Sequence, residues 1–243
     1  MSITREDVQR FRQSGSWRRL DQIACDIVAA AQASAGRQMH PVLGGGTRLM
    51  LVLEHRISHD IDLFVHDAQW IPYLSPRLND GAEALCTGYE EAADFLKLAF
   101  EEGEVDFIVR ASLLGLPEQT CAETTFALDH PAEVLAKKLF YRGATLTPRD
   151  LYDWWALETM KPGLVPAAAM GRLLVARTEV VSRALAMLAR APTAQVLWNE
   201  ILAPERPALL PTVEWGQRQL LDYGSAVQAT PRDAEDGVRR PGV

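Results

Sequence analysis

Several classes of protein are excluded by what this chain of 243 residues lacks. It has only three cysteines, Cys25, Cys86 and Cys121, widely spaced and odd in number. That rules out a disulfide framework and reads as reduced thiols in a cytoplasm. No stretch approaches the roughly 20 uninterrupted apolar residues of a membrane helix. The polar opening, residues 1–7, has no run of signal-peptide type. Positive charge is also scarce: the formal net charge is −7, which argues against a protein dedicated to duplex DNA.

What remains is an ordinary globular composition, 48% hydrophobic and 23% charged, enough for one large domain or two small ones with real cores. The charge is unevenly spread. Between Asp80 and Asp106 nine acids stand against Lys97 alone, whereas residues 137–190 carry repeated Lys and Arg. An acidic, cation-holding half beside a more basic half suits a phosphate-bearing substrate, although solvated faces would produce the same pattern.

Hydrophobic spacing divides the chain the same way. Residues 17–35 repeat apolar side chains at helical intervals and stop at Gly36. Residues 42–43 read as a short strand into Gly44-Gly45-Gly46-Thr47, residues 47–54 as a helix, and residues 60–65 as a strand. A weaker helical region at 71–85 is interrupted by Pro72, Pro76 and Gly81. Residues 95–100 and 105–109 form a β-hairpin pattern, and 124–128 is a further strand candidate. From Pro131 only helical patterns follow: 131–142 with Asp129 as cap, 148–157, 166–191, 196–202 and 213–221. The expectation is an α/β core over 1–128, a helical domain over 129–225 and a disordered tail over 226–243.

The chemistry concentrates in Asp60-Ile61-Asp62-Leu63. Side chains alternate along a strand, so Asp60 and Asp62 share one face while Ile61 and Leu63 enter the core. Two half-buried carboxylates on one face repel and lose solvation unless a cation intervenes. Mg²⁺ is a hard cation that takes oxygen ligands and keeps waters and phosphates, with Mn²⁺ as its substitute. The preceding glycine turn opens a helix whose free N–H groups would cradle phosphate at Gly45, Gly46 and Thr47. It is neither a Walker loop nor a dinucleotide fingerprint, since no Gly-Lys-Ser/Thr follows and Leu49 stands where a glycine would be. In-line transfer on two metals calls for a third carboxylate, and Asp106 on its own strand fits. Together these features read as phosphoryl or nucleotidyl transfer.

Three motifs in order, Gly45-Gly46-Thr47, Arg56-Ile57-Ser58-His59-Asp60-Ile61-Asp62-Leu63-Phe64, and Lys138-Leu139 with Arg149-Asp150-Leu151-Tyr152-Asp153, resemble the AbiEii/AbiGii-type nucleotidyltransferases. These are toxins of toxin–antitoxin and abortive-infection systems within the DNA polymerase beta-like superfamily. The resemblance implies an α+β nucleotidyltransferase core with a mixed sheet, followed by a helical bundle that closes the site. It implies triphosphate contacts at Gly45, Gly46 and Thr47 and metal on Asp60 and Asp62, to which the residues themselves add Arg56 and Ser58 as nucleotide contacts and Asp106 as the third metal carboxylate. Lys138 would neutralise phosphate, Asp150 and Asp153 would orient basic groups or the acceptor, and Arg149 would touch phosphate. The implied reaction moves a nucleotide from an NTP to an RNA (tRNA included) or a protein, held in check by an antitoxin protein. Arg48 departs from the pattern, being large and charged where the family favours small or apolar residues.

Two other readings fit parts of the sequence. His55, His59 and His66 around the acids suit a transition-metal phosphohydrolase. A catalytically inactive protein that binds nucleotide for regulation would keep the same motifs. The cluster Tyr152, Trp154 and Trp155 reads as a hydrophobic seam between helices rather than a base-stacking platform.

Overall fold

The computed structural model describes residues 3–229. Two helices come first, α1 (Arg5–Ser14) and α2 (Trp17–Ala35). The sequence reading missed α1: it is strongly polar on one side and buries only Val8, but Thr4 and Asp7 close a capping box at its start. Then follow β1 (Val42–Leu43), α3 (Gly45–Leu53) and β2 (Ile61–Val65), and the short helices α4 (Ile71–Leu74) and α5 (Asp80–Leu85). The prolines of the 71–85 region thus leave two separate short helices. Three further strands, β3 (Gly88–Glu91), β4 (Phe95–Phe100) and β5 (Gly103–Val109), lead through β6 (Ala127–Leu128) into the helical half. The strand β3, absent from the sequence reading, is exposed and pairs only with β4, so it carries little of the alternation that marks a half-buried strand.

The six strands form one mixed sheet in the order β3-β4-β5-β2-β1-β6. At its centre β2 and β5 run parallel, while β1–β2 and β4–β5 are antiparallel. Alternation decides the faces. Ile61, Leu63 and Val65 of β2, Val105 and Phe107 of β5, and Leu96 and Leu98 of β4 join Leu20, Ile23 and Ile27 of α2 in one apolar core. Asp62, Asp106 and Lys97 lie on the opposite face. Each fully buried aliphatic side chain contributes about 1.5–3 kcal/mol, so a one-residue slip of register is heavily penalised.

The second half comprises α6 (Pro131–Tyr141), α7 (Pro148–Met160), α8 (Ala167–Leu174), α9 (Thr178–Arg190), α10 (Pro192–Asn199) and α11 (Leu209–Ala229). Their second core contains Leu135, Leu139, Leu151, Trp154 and Leu185. The glycine-led helix α3 is the common wall, giving Met50 and Leu51 to the first core and Leu49 and Leu53 to the second.

Two boundaries differ instructively from expectation. The α6 cap is His130, whose ring accepts the Ala132 N–H, because Asp129 is occupied by the Lys137 ammonium at 2.6 Å. Helix α11 runs to Ala229, four residues into the stretch expected as tail, since Tyr223 is buried in the second core and holds its later turns. The remainder of that stretch, 230–243, lies outside the described residues. Among the described residues no helix is long and apolar enough to cross a membrane.

Candidate active site

A cleft of about 590 Å³ separates the polar face of the sheet from α6 and α7. Its floor is set by strand register. Asp62 and Asp106 are direct partners across the parallel β2–β5 pair, and Asp106 is in turn opposite Lys97 across β4–β5. One row across the sheet therefore reads Asp62, Asp106, Lys97. Asp60 lies just before β2 rather than inside it, and its Oδ1 accepts the Glu104 N–H at 3.2 Å. All three aspartates line the cleft.

The glycine run is a consequence of this crowding. Gly45 has φ +61°, and a Cβ there would lie 1.7 Å from Oδ2 of Asp62. A Cβ on Gly46 would lie 2.5 Å from both the Arg56 guanidinium and the Ser58 hydroxyl. Larger residues would displace Asp62 or Arg56 outright. Gly44 donates its N–H to the Asp62 carbonyl at 2.8 Å, which pins the turn to the strand. The N–H groups of the first turn of α3, which have no partners within the helix, open beside the acids.

Electrostatics divides the site in two. Burial pushes the Asp62 carboxyl above the usual range, and Asp60 adds to this while Lys138 opposes it. Asp106 is raised to about 7 by burial and by the charge of Asp62, against the pull of Lys97 at 3.7 Å. Its Oδ1 is buried without a hydrogen-bond partner. Such a set of crowded, incompletely satisfied oxygens could hold a hard divalent cation. The chemistry of the donors fits, although among the described residues no group of three or more His, Cys, Asp or Glu side chains is already arranged as a metal site.

On the opposite wall the buried carboxylates are paired. Asp153, on α7, is completely buried and receives Arg56 through Nε at 2.6 Å and a second guanidinium nitrogen at 2.9 Å. It also takes His55 Nε2 at 2.8 Å and Lys138 Nζ at 3.2 Å. Lys138, on α6, reaches Asp150 at 2.6 Å. Burial works against these carboxylates, yet Arg56 and Lys138 hold Asp153 well below the usual range, and Lys138 and Arg142 lower Asp150. Asp150 also closes the capping box of α7 with Thr147.

The structure thus gathers most of the expected site residues and uses several of them differently. Gly45, Gly46, Arg56, Ser58, Lys138, Arg149 and Asp150 line the cleft. Thr47 does not; its hydroxyl donates to the Asp60 carbonyl at 2.5 Å, holding the approach to β2. Asp153 lies behind the cleft, where it organises Arg56 and Lys138. Arg48 proves structural: its guanidinium reaches the Asp129 carbonyl at 2.6 Å and Gln119 at 2.5 Å, tying α3 to the chain before α6. No histidine is among the residues lining the cleft. Tyr152 and Trp154 are buried in the helical core and Trp155 packs against it.

Sequence reasoning passed over Lys97, Lys137 and Arg110, which also line the cleft. Lys97 was within reach of the hairpin register, because the tight turn between β4 and β5 fixes it opposite Asp106. Lys137 is one helical step of about 100° from Lys138, an interval that predicts a place off the cleft face. In the structure it is buried, pairs with Asp129 and sits 3.8 Å from the centre of the Phe64 ring.

Comparison with known proteins agrees with this chemistry. The family model described as "Nucleotidyl transferase AbiEii toxin, Type IV TA system" matches residues 27–222. A crystal structure of a "putative nucleotidyltransferase from H. pylori" has a TM-score of 0.49 and 11% identity, covering 86% of this chain and 94% of that chain. A likeness at that level carries no argument for function. No curated protein matches the chain. The family model spans most of the molecule and every element around the cleft: the chain belongs to the AbiEii nucleotidyltransferase toxin family of type IV toxin–antitoxin systems.

Proposed function

We propose that this nucleotidyltransferase uses Mg²⁺ to transfer a nucleotide from an NTP to a hydroxyl of an RNA or protein acceptor, in the cytoplasm and under control of an antitoxin protein. The observation that carries this reading is the facing pair Asp62 and Asp106, with Asp60 beside them, in one cleft with a glycine-led helix start and Lys138.

Asp60, Asp62 and Asp106 would supply the oxygens for the cation, which when bound contributes charge neutralisation and alignment of the phosphates. The N–H groups at the start of α3 would take phosphate oxygens, helped by the positive end of the helix dipole. Lys138 would face the triphosphate as a compact charge, held in place by Asp150 and Asp153. Asp106 would also assist deprotonation of the attacking hydroxyl. Transfer of this kind needs little covalent help; positioning and charge supply most of the rate. A histidine-centred phosphohydrolase finds no support, since the cleft lining holds no histidine.

The test is incubation with each labelled NTP, Mg²⁺ and either total RNA or lysate protein. Label in a macromolecule, lost in Asp62→Asn, is the expected result. Nucleotide binding without label in any acceptor would instead favour the regulatory reading.

A further inference from the structure

Lys97 is the only basic residue between Asp80 and Asp106, and the reaction proposed above gives it no task. Strand register fixes where it can reach. It stands directly opposite Asp106 across β4–β5 and opposite Glu90 across β3–β4, with Glu104 as a diagonal neighbour. The ammonium goes to the cleft side rather than to Glu90. Its Nζ donates to Glu104 at 2.8 Å and lies 3.7 Å from Oδ2 of Asp106. The lysine therefore compensates the charge of Asp106 without a hydrogen bond to it, and Glu104 holds it at that distance. The surroundings point the same way. Seven basic and six acidic side chains line the cleft, although the net charge of the chain is −7. A lone divalent cation meets repulsion in such a lining, whereas a triphosphate is drawn to it.

We infer that Lys97 is a positioning residue that acts through Asp106: it lowers the affinity of the carboxylate row for a free divalent cation, and so makes tight cation binding depend on a triphosphate. A divalent charge on Asp106 stands next to the ammonium, which must retreat onto Glu104, its second partner. The anionic phosphates of an NTP offset that repulsion. The cation is then held firmly only where there is a nucleotide to align. Glu104 and Asp106 are two residues apart on β5, so the ammonium passes between them by rotating its own side chain, with no movement of the sheet. The role of Lys97 rests on the reading of Asp60, Asp62 and Asp106 as the cation site, and its link to the triphosphate rests on the proposed reaction.

The experiment titrates the full chain with Mn²⁺ and counts the free ion by electron paramagnetic resonance. Lys97→Met and Lys97→Gln should each bind Mn²⁺ about fivefold more tightly than wild type, while Lys97→Arg should match it. With Asp106→Asn already in place, adding Lys97→Met should change the affinity by less than about twofold, because the route through Asp106 is gone. A non-hydrolysable NTP analogue, after correction for the Mn²⁺ it holds in free solution, should tighten binding in wild type more than in Lys97→Met. Unchanged Mn²⁺ affinity in both neutral variants overturns the inference, as does the absence of saturable binding in all of them. A gain that survives Asp106→Asn in full, or that Lys97→Arg shows as well, also overturns it. Equal tightening by the analogue with and without Lys97 overturns the dependence on triphosphate. If the analogue does not bind at all, the proposed function fails, while the titrations without nucleotide still decide the role of Lys97.

Discussion

Asp62 and Asp106 on the sheet and Asp150 and Asp153 on α7 are the same residue type, the first two half-buried and the last two fully buried, yet their protons are held in opposite senses. The sheet pair is raised and the helix pair lowered. Burial pushes all four upward. What separates them is the cations the fold itself supplies. Asp153 is met by Arg56, His55 and Lys138, whereas Asp106 has Lys97 at 3.7 Å and one oxygen with no hydrogen bond. The helix wall is completed architecture. The sheet wall is left electrostatically unfinished, which is how a site stores affinity for something that arrives later.

The strongest way to break this contrast is to remove one charge from each wall. Asp62→Asn keeps the shape and deletes an oxygen donor, so transfer should fall by more than about a hundredfold, beyond the usual loss from outer-shell partners of a metal. Its urea unfolding midpoint should hold or rise, since a repelling buried charge has gone. Asp153→Asn should do the reverse to stability, leaving the Arg56 guanidinium buried without its anion at a cost of about 3–5 kcal/mol, while Lys138 keeps Asp150. Equal destabilisation by both substitutions would dissolve the distinction between the walls.

A pH series sharpens it. The Asp106 carboxyl is raised in the folded protein to about 7, against 3.8 for the ordinary group. The folded state therefore keeps a proton that the unfolded chain releases. The contribution of this group to stability must fall as pH rises from about 4 to about 7, and its whole penalty, on the order of a few kcal/mol, is present above 7. Asp106→Asn should remove that slope, matching wild type near pH 4 and exceeding it at pH 8. Added Mg²⁺ should raise the wild-type melting temperature at pH 8 and leave the variant nearly unmoved. A wild-type stability that rises between pH 4 and pH 7 as steeply as that of the variant would contradict the assignment.

The acids of the sheet were legible in the sequence because strand alternation is local: once β2 is a strand, the facing of Asp62 follows. So was the hairpin that carries Asp106. The helix wall was legible only as a motif, Arg149 to Asp153, and its physical meaning was not. That meaning depends on Arg56, nearly a hundred residues away, folding back onto Asp153, and no periodicity reports such a contact. Asp129 shows the same limit. By position it reads as a cap, but Lys137 claims its carboxylate and the task falls to His130. Helix α1 was hidden for a different reason, its nearly complete polarity, and only its capping box announced it.

The smallest effect separates two adjacent lysines. By helical geometry Lys137 lies about 100° from Lys138, which predicts that it faces away and can be lost cheaply. Instead both line the cleft, each bound to an aspartate at 2.6 Å. The difference lies in what each aspartate does otherwise. Asp150 has the Thr147 hydroxyl and N–H and Arg142 besides Lys138, so it stays satisfied when the lysine leaves. The buried Asp129 side chain has Lys137 as its hydrogen-bonding cation, with the Phe64 ring closing over the ammonium. Lys138→Ala should therefore weaken NTP binding by about 1.5–3 kcal/mol, roughly ten- to a hundredfold by calorimetry, with little change in stability. Lys137→Ala should spare NTP affinity to within a few-fold and lower stability by about 1–3 kcal/mol in urea, because a buried carboxylate is left unpaired. Should Lys137→Ala cost the greater share of NTP affinity, the triphosphate lies nearer Phe64 and β2 than the second wall, and the roles of the two lysines exchange.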